Sequence, residues 1–236
     1  MVVKRWIVGL GAVLALGAGL AEGASTRGPE PTKTALIDMG PGCRIRLQVP
    51  QKAGYGGIPP DGGFPGRGGI TIENPLNLKR KTYIEPLYLR FFCHDADPEA
   101  LSEGDPLSYD ASTHTWRKDM EKLYGLYVDP DRAFKKKLDQ AVRIYEMKSV
   151  NAQGFAYTLD DVTGEESTRR RVLHYCLFRD KKAVCSGWDT RMGYLPEIRR
   201  HPARDLTPYA LRILRSIEFV DEAPQAAPTA SQPASQ

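Results

Sequence analysis

The sequence predicts an α+β fold in which an antiparallel sheet is flanked by helices and cross-linked by disulfides. Several segments alternate apolar and polar residues, which is typical of half-buried strands, and others repeat apolar residues at helical spacing. The cysteines form an even set, which favours two cross-links. They are Cys43, Cys93, Cys176 and Cys185. Together these observations indicate one disulfide-linked domain over residues 37–221.

Composition excludes several other classes of protein. Of 236 residues, 41% are hydrophobic and 26% are charged, which excludes a collagen-like, coiled-coil or polytopic membrane chain. The net charge is +4 and becomes +3 without the charges of the first 23 residues. We therefore expect no nucleic-acid partner, because nucleic-acid binders usually carry a concentrated basic face.

The first 23 residues predict a signal peptide. Lys4 and Arg5 precede an apolar run over residues 7–21, whose 15 residues fall short of the roughly 20 that span a bilayer. Small residues around position 21 provide candidate signal-peptidase sites. We therefore expect export to the periplasm without stable membrane insertion. An uncleaved N-terminal anchor is the alternative.

The pairing of the cysteines follows from one predicted hairpin. Four cysteines permit three pairings, and composition does not choose among them. Two strands are predicted on either side of residues 179–182, and a hairpin centred there places Cys176 opposite Cys185. With a two-residue loop the two cysteines form a non-hydrogen-bonded pair, where Cβ atoms approach most closely, whereas a four-residue loop would reverse that parity. We predict Cys176–Cys185, which leaves Cys43–Cys93.

The N-terminal half is expected to contain a tether and three strands. Residues 24–36 are polar and predict a tether, whereas residues 43–49 alternate with period two and predict a strand. Residues 70–72 and 83–92 are the next strand candidates. Pro86 predicts that the second of them lies at a sheet edge or a bulge.

A long exposed loop is predicted over residues 53–69. Eleven of these 17 residues are Gly or Pro, which are unfavourable in regular elements. A phosphate-binding loop is the alternative. However, neither G-x-x-x-x-G-K-[ST] nor G-x-G-x-x-G is present, and the prolines remove backbone donors that a bound phosphate would need.

The centre of the chain predicts a mixture of loop, helix and strand. Residues 94–115 are expected to form a loop, and residues 116–127 and 132–145 carry helical patterns. Residues 154–159 predict a strand. Residues 160–167 predict a polar turn that leads into the cysteine hairpin.

The C-terminal region predicts one helix, a closing strand and a tail. Thr207 is expected to cap a helix that has Pro208 at its first position. The apolar stripe of this helix is Ala210, Ile213, Leu214 and Ile217. Residues 218–220 predict a strand. Residues 222–236 are rich in Ala, Pro, Ser and Gln, and they predict a disordered tail.

The sequence predicts no catalytic residue, no metal site and no cofactor. The motifs G-x-S-x-G, H-E-x-x-H and S-x-x-K are absent. His94, Asp95 and Asp97 offer two or three metal ligands, but an EF-hand loop needs further oxygen ligands and a glycine at its sixth position.

A group of carboxylates is the candidate partner-binding site. Its members are Asp160, Asp161, Glu165 and Glu166. A solvated turn is the expected arrangement, and a general acid/base pair such as glycosidases use is the alternative. We predict that these residues contribute to a binding rim, because rim charges steer association.

Residues 148–220 contain three features of a known exported domain. They are a strand that begins with Gly154-Phe-Ala-Tyr, the hairpin through Cys185, and the ending Leu211-Arg-Ile-Leu-Arg-Ser-Ile-Glu-Phe219. This third of the chain resembles exported bacterial domains with a PsbP-like α/β/α fold, and among them it is most similar to periplasmic immunity proteins that neutralise phospholipase effectors of type VI secretion. The resemblance implies an antiparallel sheet with flanking helices, no enzymatic activity, and a secreted effector as partner.

Three hypotheses for the function follow. The first is an exported protein that binds and neutralises a partner protein, and the missing catalytic motifs favour it. The second is a periplasmic hydrolase that uses the carboxylates around Asp160. The third is an envelope structural or assembly factor.

Overall fold

A computed structural model describes residues 30–77, 85–187 and 190–221. The described residues from Pro31 onward belong to one compact unit. Its strands are Thr32–Asp38 (β1), Arg44–Pro50 (β2), Gly54–Ile58 (β3), Arg67–Ile72 (β4), Leu87–Asp95 (β5), Leu107–Asp110 (β6), Thr115–Lys118 (β7), Val142–Lys148 (β8), Gln153–Asp160 (β9), Arg170–Arg179 (β10), Lys182–Ser186 (β11), Thr190–Tyr194 (β12) and Glu218–Phe219 (β13). Its helices are Met120–Tyr124 (α1), Arg132–Ala141 (α2), Leu195–Arg200 (α3) and Thr207–Arg215 (α4). The predicted signal peptide and tail lie outside the described residues.

The strands form three antiparallel sheets, which confirms the predicted fold class. The largest has eight strands in the order β3-β4-β5-β11-β10-β9-β8, and β12 pairs with β10. A second sheet has the order β1-β2-β13, and β6 and β7 form a separate hairpin. Successive side chains of a strand point to opposite faces, so the large sheet has two faces to cover.

One face of the large sheet, the core face, carries the main hydrophobic core. The second sheet and α4 supply the other side of this core. The period-two alternation of the sequence produces it, since every second residue of the central strands is buried. Those of β5 and β10 are Leu87, Leu89, Phe91, Cys93, Leu173, Tyr175 and Leu177.

The opposite face, the hairpin face, is covered in part by the β6–β7 hairpin. A smaller cluster lies there, in which Leu107 of β6 packs with Phe155 and Tyr157 of β9. Further along the same face, α1 and α2 pack around Leu138 and Val142.

The predicted disulfides are both present. Cys43 is bonded to Cys93 and Cys176 is bonded to Cys185. Cys176 lies directly opposite Cys185 in the β10–β11 register, and the pair Arg179↔Lys182 closes the hairpin around a two-residue loop. The register inferred from the sequence is therefore confirmed.

The loop predicted over residues 53–69 is wrong, because β3 and β4 form a paired hairpin within it. The glycines serve close packing here. A Cβ atom on Gly57 would collide with the backbone of Asp38, and one on Gly68 would collide with the side chain of Ile37. Glycine therefore lets this hairpin press against β1. The tether predicted over residues 24–36 is also too long, since β1 begins at Thr32.

Predictions for the centre of the chain also need correction. Residues 107–110 and 115–118 form the β6–β7 hairpin instead of loop and helix. The second predicted helix ends at Ala141, and the chain continues as β8, which pairs along its length with β9. The apolar residues of β8 are compatible with either a helix or a strand by their spacing alone. Pairing with β9 makes this segment a strand.

Two smaller expectations fail for local reasons. Pro86 precedes β5, so this strand keeps its donors and lies inside the sheet between β4 and β11. Thr207 is the first residue of α4 and does not cap it. The N-cap residue is Leu206, which makes no side-chain capping bond, and the side chain of Asp205 accepts the backbone N–H of Thr207 at 2.9 Å.

Candidate functional site

A cleft of about 300 Å³ opens on the hairpin face beside β8. Its apolar walls are Pro98, Tyr109, Trp116, Ile144 and Phe178. Its polar mouth includes His114, Glu146, Lys148 and Gln153. We call it the aromatic cleft. It lies where the β6–β7 hairpin crosses the edge of the large sheet.

Trp116 is the centre of the aromatic cleft. Tyr109 and Trp116 lie opposite each other in the β6–β7 register, with ring centroids 4.9 Å apart. The indole also packs 4.5 Å from the ring of Phe155 and stacks 5.6 Å from that of Phe178. Aromatic pairs at such separations stabilise packing beyond the area they bury. The cleft therefore has a preformed aromatic floor.

A half-buried carboxylate fastens the hairpin to the sheet. Asp105, just before β6, accepts a hydrogen bond of 2.6 Å from the hydroxyl of Tyr157 on β9. Burial raises the pKa of Asp105, and burial together with the charge of Asp105 raises the pKa of Tyr157. The Tyr157 ring stacks on His174 with centroids 4.8 Å apart. The hydrogen bond between Asp105 and Tyr157 therefore holds the β6–β7 hairpin, which contains Tyr109 and Trp116, in place on the sheet.

The tip of the hairpin places an imidazole at the mouth of the cleft. His114 adopts a left-handed backbone with a φ of 53°. Its Nδ1 lies 2.9 Å from the Tyr109 hydroxyl. Asp110 accepts the backbone N–H of Ser112 at 3.0 Å and its hydroxyl at 2.6 Å, and the hydroxyl bond lowers the pKa of Asp110. These bonds fix the turn.

β8 is an edge strand whose outer side has no partner strand among the described residues. The backbone N–H of Val142 bonds to Leu138 in α2, so it faces away from β9. Residues two positions apart in a strand point the same way. The N–H and C=O groups of Ile144, Glu146 and Lys148 therefore face outward beside the aromatic cleft.

The polar mouth is held by one exposed ion pair. The ammonium of Lys148 lies 2.8 Å from the carboxylate of Glu146, and both side chains are more than two-thirds exposed, at 71% and 75%. The hydrogen bond to Glu146 raises the pKa of Lys148. Exposed pairs of this kind contribute little free energy, so a ligand can displace this pair at small cost.

The combination of an open strand edge and an apolar cleft matches an extended polypeptide. Backbone groups of an added strand would bond to β8, and one of its side chains would enter the cleft. The lining also pairs the Tyr109 hydroxyl with the His114 imidazole at 2.9 Å.

Asp160, one of the predicted rim residues, is part of an internal ion-pair network, and its part in binding stays a prediction. Its carboxylate accepts hydrogen bonds from two Arg171 nitrogens at 2.6 and 2.8 Å, and the third Arg171 nitrogen donates to Asp205 at 2.7 Å. The Arg171 side chain is only 8% exposed. Arg143 also pairs with Asp160 at 3.2 Å. This carboxylate therefore anchors the end of the sheet.

The other predicted rim carboxylates are not brought together at one point. Asp161 accepts the backbone N–H of Arg170 at 2.9 Å. Glu165 accepts the Ser167 hydroxyl at 2.6 Å, and Glu166 pairs with Arg199 of α3. Each carboxylate has its own local partner, and their part in binding stays a prediction.

The metal alternative at His94, Asp95 and Asp97 finds no support in their contacts. Asp95 pairs with Lys182 at 2.8 Å, and Asp97 accepts the backbone N–H groups of residues 99 and 100 at 3.1 Å each. Burial lowers the pKa of His94. Within the described ranges no group of three His, Cys, Asp or Glu side chains is placed to hold a metal ion.

The residues of the aromatic cleft were missed by the sequence analysis. Tyr109 and Trp116 fall in segments predicted as loop and helix. The available indication is the alternation of residues 107–110 and 115–118 around a polar turn, which is typical of a hairpin.

Comparisons with protein-family models, with curated proteins and with solved structures find no match for this chain. Among the described residues, no helix is both long and apolar enough to cross a membrane. The two disulfides fit an exported protein, because such bonds persist in oxidising compartments.

Proposed function

We propose that this is an exported protein without enzymatic activity that binds another protein through the outer edge of β8 and the aromatic cleft. One observation carries the proposal: β8, whose outer side has no partner strand among the described residues, lies directly beside a preformed aromatic cleft. An extended segment of the partner would add to β8 as a further strand.

The expected energetics suit such an interface. Backbone hydrogen bonds to Ile144, Glu146 and Lys148 would set the register of the added strand, and its side chains would supply specificity. Trp, Tyr and Arg dominate the binding energy of most interfaces, and they act best in rigid, desolvated pockets. Trp116 and Tyr109, fixed by their packing, would provide such a pocket.

We further propose that the partner is a secreted effector, a phospholipase of type VI secretion, and that binding in the periplasm neutralises it. The support is the resemblance of residues 148–220 to periplasmic immunity proteins, together with two disulfides that fit an oxidising compartment. A neutralising protein needs a preformed surface, and the aromatic cleft supplies one.

The experiment compares two substitutions at one exposed position. Glu146→Pro removes an outward N–H of β8, which an edge strand tolerates, whereas Glu146→Ala removes the carboxylate and keeps that N–H. With a type VI secretion phospholipase effector as ligand, we expect Glu146→Pro to weaken the Kd by about tenfold, or about 1.4 kcal/mol. Glu146→Ala should stay within about threefold of the unsubstituted protein, since an exposed pair contributes little.

The controls separate binding from folding and from catalysis. Circular dichroism should show that both variants keep the native spectrum. Equal affinities for the two variants would remove β8 from the interface. Turnover of lipid or peptidoglycan by the purified protein would overturn the proposal and favour the hydrolase.

A further inference from the structure

The loop over residues 125–131, between α1 and α2, places two apolar side chains in solvent. Val128 is 96% exposed and is the most exposed large apolar side chain among the described residues, and Leu126 is 65% exposed. Side chains this exposed project beyond their neighbours. We call Leu126 and Val128 the apolar tip.

The residue between the two members of the apolar tip holds the loop in place. The ring of Tyr127 packs edge-on against Phe134 in the first turn of α2, with centroids 5.0 Å apart. The backbone N–H groups of Leu126 and Tyr127 bond to the C=O groups of Leu123 and Tyr124 at 3.2 and 3.0 Å. Because Tyr127 packs inward, its two neighbours along the chain are left facing solvent.

Basic side chains are concentrated around the apolar tip. Residues 122–137 carry five basic and two acidic side chains, a net charge of +3. The whole chain after residue 23 also has a net charge of +3, so the rest of that chain sums to zero. Arg132 and Lys136 lie one turn apart on the same face of α2, and Lys137 is exposed beside them. No ion pair among the described residues includes these three side chains, so their charges are available to a ligand.

The two acidic side chains of this segment have different surroundings. Asp131 accepts the backbone N–H of Phe134 at 2.7 Å and caps α2, so its carboxylate is engaged by the helix. Asp129, next to Val128, is exposed and lowers the positive charge at the tip. Asp129 therefore offers a way to raise that charge without altering the helix.

An apolar tip beside unpaired basic side chains matches an anionic lipid surface. Apolar side chains are stabilised when they enter the boundary between headgroups and acyl chains, and nearby Lys and Arg are attracted by anionic headgroups. Arg132 follows Val128 by four residues, so their Cα atoms are at most about 14 Å apart and both can meet one surface. A protein partner would need a pocket shaped for the projecting side chains, whereas lipid yields around them.

We propose that residues 125–137 dock the protein reversibly on a bilayer that contains anionic phospholipids. The apolar tip enters the headgroup region, and Arg132, Lys136 and Lys137 face the lipid phosphates. This contact lies on the membrane surface and requires no spanning segment. It involves none of the residues that line the aromatic cleft, so it goes beyond the proposed function and does not depend on it.

The first test places a tryptophan at the tip. Val128→Trp is compared with Val150→Trp, a matched control at another exposed valine, in the turn between β8 and β9. The full chain is mixed with vesicles of phosphatidylglycerol and phosphatidylcholine, or of phosphatidylcholine alone. We expect the emission of Val128→Trp to shift to the blue only with the anionic vesicles, and that of Val150→Trp to stay unchanged. The other tryptophans are common to both variants, so the difference reports the new residue.

The second test measures the affinity for the anionic vesicles by co-sedimentation. Val128→Asp should weaken binding about tenfold or more, whereas the control Val150→Asp should stay within about twofold. Replacing Arg132, Lys136 and Lys137 together by Gln should weaken binding about a hundredfold, and Asp129→Asn should strengthen it about threefold. Circular dichroism should show a native spectrum for each variant, since every substituted side chain is exposed.

Each outcome decides the proposal. Absence of binding to anionic vesicles would overturn it, as would equal binding to phosphatidylcholine alone. Binding that is insensitive to Val128→Asp would show that the apolar tip does not enter the bilayer and would also overturn it. No protein partner is present in these experiments, so their failure is distinguishable from a failure of the proposed function.

Discussion

The large sheet has two outer strands, β3 and β8, and they differ in what lies next to them. β3 is built largely of glycine and lies against β1, where Gly57 approaches the backbone of Asp38. β8 has no partner strand on its outer side within the described part of the chain, and an aromatic cleft opens next to it. Unpaired edges invite aggregation, so an edge left open beside a formed cleft points to use in binding.

The residues of β8 show how an open edge can stay selective. Arg143, Glu146 and Lys148 are exposed along this strand. Charged side chains on an edge oppose pairing with arbitrary strands. A partner must therefore offset these charges and also fill the aromatic cleft.

The largest expected effect concerns the packing of β3. Gly57→Ala should destabilise the protein by about 2 kcal/mol, because the added methyl collides with the backbone of Asp38. Gly56→Ala is the matched control. Its Cβ meets nothing within 4 Å, so the change should stay within about 0.5 kcal/mol. Urea unfolding measures both, and equal losses would show that β3 does not depend on close packing against β1.

A smaller effect on stability is expected at Asp105, which joins the β6–β7 hairpin to the large sheet near β8. Burial raises the pKa of Asp105 above its ordinary 3.8, so the folded state holds this proton more tightly than the unfolded state. Stability should therefore fall as the pH rises from that value through the raised pKa. Asp105→Asn should remove this slope while its amide oxygen still accepts the Tyr157 hydroxyl.

Urea unfolding of both proteins between about pH 4 and about pH 7 measures this slope. A parallel pH dependence in the two proteins would show that Asp105 does not titrate with folding. The change in the free energy of unfolding over this pH range should be smaller than the loss expected for Gly57→Ala.

Local patterns predicted the parts of the fold that depend on neighbouring residues. The register of Cys176 and Cys185 follows from one hairpin, and the buried stripe of α4 follows from helical spacing. β3 could not be predicted in this way, because its glycines are required by contact with β1, which comes from a separate segment. Tyr109 and Trp116 form a cleft only after the β6–β7 hairpin packs across β8 and β9.

The candidate site also depends on contacts between distant segments, which local sequence patterns do not predict. Asp160 stands out in the sequence as one of four nearby carboxylates, but Arg171 and Asp205 come from elsewhere in the chain and complete a network around it. The other three carboxylates are exposed, and their part in binding stays a prediction. The open edge of β8 has no local sequence motif, since it depends on which strands the sheet lacks.

Hydrogen–deuterium exchange of the protein, alone and bound to the proposed effector, tests the central claim most directly. The outward amides of Ile144 and Glu146 should exchange quickly in the free protein and become protected in the complex, because an added strand would bond to them. The amides of β3 should keep the same rates in both states. Protection confined to β3 or to the turn over residues 160–167, with β8 unchanged, would contradict the account.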